Sequence, residues 1–295
     1  MASRNIVIKA NYSCGLLQDI KKILKHRPKL LTLYPGIAIY YQILQMLENG
    51  LATEYQLLKT LLEQHIMDFP KEEMLQMYDY AQNYCIRQIN TGDSSYYIEF
   101  MNLYKTQLQH SILLKNNYLE EWDYKNITTA GIRTQDYEWT ERFIHQMKHR
   151  LKPLVKENAF AYNLAAIYYA TQRYKEALQL LQTIEFTDTS YHLGAKIIQL
   201  KSYYELDEFD AFLSLIQSFR IYVQRNKQIS EYRKKANFNM LKLAKKIGQF
   251  QEQKSFISDK KKGQDILKIE NLFKNLSPLA NADWLQSIWT ALSSK

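Results

Sequence analysis

The chain has 295 residues and a formal net charge of +9, with only 8 Gly and 5 Pro. Few helix breakers and no sustained two-residue alternation exclude a mainly β protein and predict an all-α fold. No window reaches about 18 uninterrupted apolar residues and the N-terminus has no leader pattern, so we expect neither export nor a membrane partner. The two cysteines, Cys14 and Cys85, are far apart, which indicates a reduced, cytoplasmic protein.

Breakers divide the first part of the chain into pieces of helical length. Residues 1–30 are predicted to form one or two helices that end before Pro28, and the first ten residues already have a helical pattern. Two helical hairpins follow, one around Asn49-Gly50 and one around Gly92. Their predicted helices are residues 36–49 with 51–67 and residues 71–89 with 94–113. Residues 1–117 are therefore predicted to be divergent helical hairpins.

The stretch 158–185 carries two adjoining patterns of helical spacing. A first helix has Leu-small-x-x-Tyr, and a second has Tyr-x-x-Ala-x-x-x-Leu. The residues concerned are Leu164, Ala165, Tyr168, Tyr174, Ala177, Leu181 and Ile184. The small residues let two antiparallel helices touch, and the tyrosines fill the gap to the next hairpin. A hairpin of about 34 residues cannot bury its apolar face alone, so the pattern predicts neighbours.

Degenerate copies of the pattern flank this stretch on both sides. The later copy consists of Leu200, Tyr203, Phe209, Phe212 and Ile216. The earlier copy consists of Tyr137, Thr140, Ile144 and Met147, with Gly131 where the first-helix tyrosine would stand. Three hairpins are therefore predicted, with turns near Gln135, Gln172 and Asp207.

On these residues the region 119–225 resembles the tetratricopeptide-repeat family. Segments 83–93 and 124–144 are also similar to uncharacterised helical-repeat proteins of Bacteroidetes-type bacteria. The resemblance implies a superhelical α-solenoid of antiparallel helical hairpins. It implies one continuous domain over 1–295, with the repeats in 118–225 and a basic helix and capping helices in 226–295.

In that family the first helices line a concave groove that binds proteins or peptides. The resemblance implies inward positions at Lys125, Thr129, Arg133, Tyr162, Asn163, Ala166, Tyr169, Ile197, Lys201 and Tyr204. Lys125 and Asn163 match two of the five positions with which some members clamp a C-terminal carboxylate. Thr129, Gly194 and Ile198 occupy the other three, which argues against such a clamp. Tyrosines with a few cations suit an extended or helical peptide better, although each tyrosine also suits packing between hairpins.

The C-terminal region carries a long basic helix, predicted over 228–247. Phe250 and Ile257 are interpreted as remnants of its partner helix. A terminal amphipathic helix is predicted over 281–293, and one of its faces carries Trp284, Leu285, Ile288 and Leu292. Such a helix would cap the end of the array.

Segment 225–262 holds the whole charge excess of the chain. It has twelve Lys and Arg against three Asp and Glu, and this difference equals the net charge of +9. At about 100° per residue, one side of the predicted helix carries Lys234, Lys235, Lys242, Lys245 and Lys246. The opposite side carries Ile229, Tyr232, Ala236, Met240, Leu243 and Ile247. The lysines are interpreted as a solvated face or as a site for an acidic protein or a nucleic acid.

No motif predicts catalysis or a cofactor. Phosphate-binding, dinucleotide-binding and nucleophile-elbow patterns are absent from the sequence. Glu141, His145 and His149 have helical spacing, but their helix end suits exposed histidines better than a metal site. The sequence therefore predicts a non-enzymatic protein-interaction scaffold without cofactor or metal. The alternative is a nucleic-acid or acidic-partner binder that works through segment 225–262.

Overall fold

The computed structural model describes residues 15–186 and 188–293. The all-α prediction is confirmed for these residues, and none of the helices in them has the length and hydropathy needed to span a membrane. The predicted helix in the first ten residues lies outside the described residues. The chain forms two compact units, which we call unit 1 (up to Pro153) and unit 2 (from Leu154). The predicted boundaries at 117/118 and 225/226 separate types of repeat and not compact units. They therefore stay a prediction.

Unit 1 consists of helical hairpins and one small β-hairpin. Its α-helices are α1 (Gly15–His26), α2 (Lys29–Leu33), α3 (Pro35–Asn49), α4 (Ala52–Gln64), α5 (Lys71–Asn90), α6 (Tyr96–Gln109), α7 (Glu121–Arg133) and α8 (Tyr137–Met147). The strands β1 (Leu114–Lys115) and β2 (Tyr118–Leu119) pair antiparallel. Both predicted hairpins, α3/α4 and α5/α6, are present. Gly50 and Gly92 have φ of +66° and +106°, values that favour glycine.

Unit 2 consists of two further hairpins and a three-helix end. Its helices are α9 (Lys156–Ala170), α10 (Tyr174–Gln182), α11 (Thr189–Glu205), α12 (Phe209–Arg225), α13 (Glu231–Gln253), α14 (Asp259–Asn275) and α15 (Ala282–Ser293). Helix α11 packs against α9, α10 and α12, and α13 packs against α12, α14 and α15. Unit 2 therefore repeats the packing of one hairpin on the next as far as α13.

The three predicted turns share one backbone geometry. Gln135, Gln172 and Asp207 have φ of +59°, +62° and +57°. After each of them, an N–H donates to the carbonyl five residues earlier: Asp136 to Gly131, Arg173 to Tyr168 and Glu208 to Tyr203, at 2.9, 2.7 and 3.0 Å. This pairing is the Schellman motif, which satisfies the last carbonyls of a helix. The second helix then begins at an aromatic residue, Tyr137, Tyr174 or Phe209. The predicted positions of the turns are confirmed.

One core position is equivalent in the three hairpins, and its occupants differ in volume. Thr140, Ala177 and Phe212 are all fully buried there. A Cβ added at Gly131 would stand 1.9 Å from Thr140 Oγ1, and one at Gly248 would stand 2.6 Å from Phe212 Cε1. The two occupants larger than alanine therefore each face a glycine, on α7 of the same hairpin for Thr140 and on the following helix α13 for Phe212.

The C-terminal region differs from the prediction in two places. Phe250 is not part of a partner helix: it lies on α13, which runs on to Gln253, and it is buried in the core. The partner is α14, which buries little besides Ile269, so its sequence gives only a weak helical pattern. Helix α15 confirms the predicted terminal helix, and Trp289 joins its predicted buried face.

Candidate functional site

The predicted groove residues of the first repeat lie together on α7 in unit 1. Trp122, Lys125, Thr129 and Arg133 span about 80° of rotation at about 100° per residue, so they share one side of the helix. Arg133 is exposed, Lys125 and Thr129 are partly buried, and Trp122 is 41% exposed. Trp122 was not predicted as part of the site. The three predicted residues therefore share one face of α7, and their place in a groove stays a prediction.

Aromatic rings border both cations of this face. The Lys125 ammonium lies 5.8 Å from the centroid of the Trp122 ring, and the Arg133 guanidinium lies 5.9 Å from that of Tyr97 on α6. Ile98 is 57% exposed beside Tyr97 in the chain. The Thr129 hydroxyl donates to the carbonyl of Lys125 at 2.8 Å, so it is engaged within the helix. We call these six residues the α7 surface: Tyr97, Ile98, Trp122, Lys125, Thr129 and Arg133.

In unit 2, Tyr162 packs between two hairpins. A Cβ added at Gly194 on α11 would stand 2.4 Å from Tyr162 Cε2. The Tyr162 ring also meets the Tyr191 ring edge-on, with the centroids 5.3 Å apart. Burial between the two helices raises the pKa of Tyr162. This predicted groove residue therefore fills the contact between α9 and α11.

Tyr169 and Lys201 form an aromatic and charged cluster at the other end of the same helices. The Lys201 ammonium lies 5.9 Å from the centroid of the Tyr169 ring and 5.4 Å from that of Trp284. The Tyr169 hydroxyl donates to Glu205 Oε1 at 3.4 Å. Burial, and then the charge of Glu205, raise the pKa of Tyr169, which holds the phenol neutral. The cluster fastens α11 to α9 and α15.

Asn163 and Tyr204 are not groove residues. They are only 1% and 5% exposed. The Asn163 amide donates to the carbonyl of Ala159 at 2.7 Å, which satisfies it within its own helix. Tyr204 meets the ring of Trp284 edge-on at 5.8 Å and donates to Gln251. The prediction is wrong for both residues because the packing of α9 and α11 against their neighbours encloses these positions.

The predicted lysine row lies on α13 and is largely open to solvent. Lys235, Lys242, Lys245 and Lys246 are exposed, and none of them has a carboxylate within ion-pair distance among the described residues. Lys234 is the exception, since its Nζ lies 2.9 Å from Glu231 Oε1 and its side chain is only 16% exposed. Lys234 is therefore paired with Glu231 in the first turn of the helix, and its charge is less available than those of the other four lysines.

Tyr232 is exposed, although its spacing predicted it on the apolar side of α13. Its side chain is 71% exposed, whereas Ala236, Met240 and Leu243 are buried as predicted. Ile229, which precedes the helix, is buried and closes the core at this end. Tyr232 in the first turn is thus left outside. We call Tyr232, Lys235, Lys242, Lys245 and Lys246 the basic stripe.

The titratable groups considered for chemistry do not form a reactive site. Helix α8 ends at Met147, so His145 lies on it and His149 lies on a separate short 3-10 helix, Lys148–Arg150; both histidines are exposed. No group of three or more metal-ligating side chains was found among residues 15–186 and 188–293. Burial raises the pKa of the Cys85 thiol to about 12, and its Sγ donates to the Tyr55 hydroxyl at 3.3 Å. At neutral pH this thiol holds almost no thiolate.

Sequence reasoning did not assign three aromatic residues, Trp122, Tyr97 and Tyr232, to the two cationic surfaces. Trp122 and Tyr232 each stand three residues before a predicted lysine, so helical spacing alone could have found them. Tyr97 belongs to a neighbouring helix, and no local pattern places it beside Arg133. Residues on one helix of a candidate surface can therefore be predicted from their spacing, whereas residues from a second helix are found only from the fold.

Comparisons of the chain with known proteins found no match. No protein-family model matches the chain. No curated protein and no solved structure matches it either. The resemblance to tetratricopeptide repeats stays a prediction that rests on the sequence pattern of residues 119–225.

Proposed function

We propose that the chain is a non-enzymatic protein-interaction scaffold whose α7 surface binds a short segment of a partner protein. The observation that carries the proposal is the single face on which Trp122, Lys125 and Arg133 stand, with Tyr97 beside Arg133 and the exposed Ile98 next to Tyr97 in the chain. A segment that offers an apolar side chain and a carboxylate fits this face. The partner's apolar group would lie on Trp122 and its carboxylate at Arg133.

The residue types of the α7 surface support a protein partner. Tryptophan, tyrosine and arginine carry most of the binding energy in protein interfaces. Trp122 and Arg133 stand eleven residues apart, or about 16 Å along the helix. An extended segment of about five residues covers that length. Arg133 has no carboxylate within ion-pair distance among the described residues, and its planar guanidinium matches a carboxylate with two hydrogen bonds.

Two further observations support a scaffold more than an enzyme. The three turns with one geometry are what repeated helical hairpins require, and repeat arrays present extended binding surfaces. The cysteine that the structure describes, Cys85, is a free, buried thiol with a raised pKa, which suits a structural role. A cytoplasmic location belongs to this proposal, because a free thiol persists where the environment is reducing.

Selection from a displayed library of short random peptides would test the proposal. We expect the full chain to enrich sequences that combine an acidic and a large apolar residue. For a selected peptide, Trp122→Ala should weaken binding by about 2 kcal/mol, or roughly thirtyfold in Kd, because truncating a central aromatic anchor has this effect. Arg133→Ala should weaken it by about tenfold. Isothermal titration calorimetry measures both.

The control is Tyr118→Ala, because Tyr118 is an exposed aromatic residue of unit 1 on β2, outside the α7 surface. It should leave the affinity unchanged. Selected peptides that bind Trp122→Ala and Arg133→Ala as tightly as the original chain would contradict the proposal. So would a selection that enriches no peptide.

A further inference from the structure

The basic stripe combines unpaired cations with an exposed ring. Tyr232, Lys235, Lys242 and Lys246 span about 80° of helix rotation, and Lys245 stands about 60° beyond Lys242. From Tyr232 to Lys246 the stripe is about 21 Å long, at about 1.5 Å per residue. All five side chains are exposed. Three of the five lysines of α14 differ from them, because Lys261, Lys262 and Lys268 are paired with Asp259 or Asp265.

We propose that the basic stripe binds single-stranded nucleic acid without sequence preference. The lysines would contact successive backbone phosphates, and Tyr232 would stack on a base at the end of the stripe. Proteins that hold single strands combine a positive track with aromatic side chains on which bases stack. The stripe has both parts, and segment 225–262 carries the whole charge excess that would attract a polyanion.

The surroundings of α13 favour a single strand over a duplex. A helix that reads duplex DNA must enter the major groove, which is about 12 Å wide. Helix α13 is packed against α12, α14 and α15, and only one of its sides is open. A flexible strand can lie along an open side and turn its unstacked bases towards Tyr232, whereas the bases of a duplex are read only by side chains that reach into a groove. The tyrosine also has no base to meet on an intact duplex.

The residue types favour nucleic acid over an acidic protein segment. All four cations of the stripe are lysines, which act as point charges towards phosphate. Carboxylates in protein partners are met best by the two-pronged arginine, and the stripe contains none. The exposed ring of Tyr232 offers a surface on which a nucleobase can stack, and an acidic side chain has no ring to stack on it.

Fluorescence anisotropy with labelled oligo(dT) tests the proposal. Each phosphate neutralised on a single strand contributes about −0.7 to the slope of log K against log salt, so four lysines predict a slope near −2.8. Affinity should then fall about fiftyfold between about 50 and 200 mM salt. Exchanging Lys235, Lys242, Lys245 and Lys246 together for Gln should bring the slope near zero. Tyr232→Ala should weaken binding by about tenfold without changing the slope, and Tyr232→Phe should restore it.

Two control variants separate the stripe from net charge and from exposed rings in general. Four exposed lysines of unit 1, Lys25, Lys29, Lys71 and Lys115, exchanged for Gln remove the same charge elsewhere and should leave the slope unchanged. Phe256→Ala removes another exposed ring, between α13 and α14, and should leave the affinity unchanged. Circular dichroism confirms that each variant is folded.

Three results would overturn the proposal. The first is an equal loss of affinity in the unit 1 lysine variant, which would make the effect one of net charge. The second is tighter binding of a duplex of the same length than of oligo(dT). The third is displacement of oligo(dT) by poly-glutamate at equal charge, which would assign the stripe to an acidic protein. None of these results bears on the α7 surface.

Discussion

Replacing Phe212 with alanine is expected to lower the free energy of unfolding of unit 2 by about 3–5 kcal/mol. Phe212 is fully buried in the core that α11, α12, α13 and α15 share. Its ring packs against the backbone at Gly248 and lies 5.8 Å from the ring of Tyr204. Truncation leaves a cavity that these neighbours cannot fill, because a glycine has no side chain to move into it.

Chemical denaturation followed by circular dichroism measures this loss. Phe256→Ala is the matched control, since the same atoms are removed from a ring that is 89% exposed. It should change the free energy of unfolding by less than about 0.5 kcal/mol. If both variants unfolded at the same denaturant concentration, the placement of Phe212 at the junction of α12 and α13 would be wrong.

Replacing Ala177 with leucine should destabilise unit 2 by about 1–3 kcal/mol, for the opposite reason. Ala177 is fully buried where α9, α10 and α11 meet, in a cluster with Ala165, Ala195 and Ile198. The small side chains let these helices approach one another. A leucine at this point has no free volume to occupy, so it must displace a helix or adopt a strained rotamer.

Thermal unfolding of Ala177→Leu checks this expectation. The same exchange at Ala291, an exposed position of α15, is the control and should leave the midpoint nearly unchanged. An unaltered midpoint for Ala177→Leu would remove the small-residue contact on which the assignment of the second repeat rests.

Features set by local sequence were predicted well. The spacing of apolar residues and the breakers placed the hairpins, and the turns at Gln135, Gln172 and Asp207 were found at the predicted residues. Helical periodicity and chain reversal depend on residues only a few positions apart, which is why one sequence is enough to recognise them. The solenoid geometry depends on how hairpins follow one another, and it stays a prediction.

Features set by distant contacts were predicted poorly. Asn163 and Tyr204 were assigned to an open groove, yet neighbouring helices enclose both of them. Tyr232 was assigned to the apolar side of its helix together with Ile229, yet Ile229 is buried and Tyr232 is exposed. In each case the side of the helix was predicted nearly correctly. Whether that side is buried depends on helices that are distant in the sequence. The ring of Tyr97 beside Arg133 shows the same limit for the α7 surface.

The shared turn geometry makes the three hairpins alike in backbone but not interchangeable. A copy of one hairpin placed in another position would keep the turn geometry, but the helix packed against it would not match its core side chains. Phe212 on α12 needs the bare backbone of Gly248 on α13, outside its own hairpin, whereas Thr140 on α8 meets Gly131 within the hairpin of α7 and α8. The contact between Phe212 and Gly248 is thus a matched pair of volumes that links one hairpin to the helix after it. Copying the hairpin of α11 and α12 to another position would therefore need a compensating change on the helix that follows the copy.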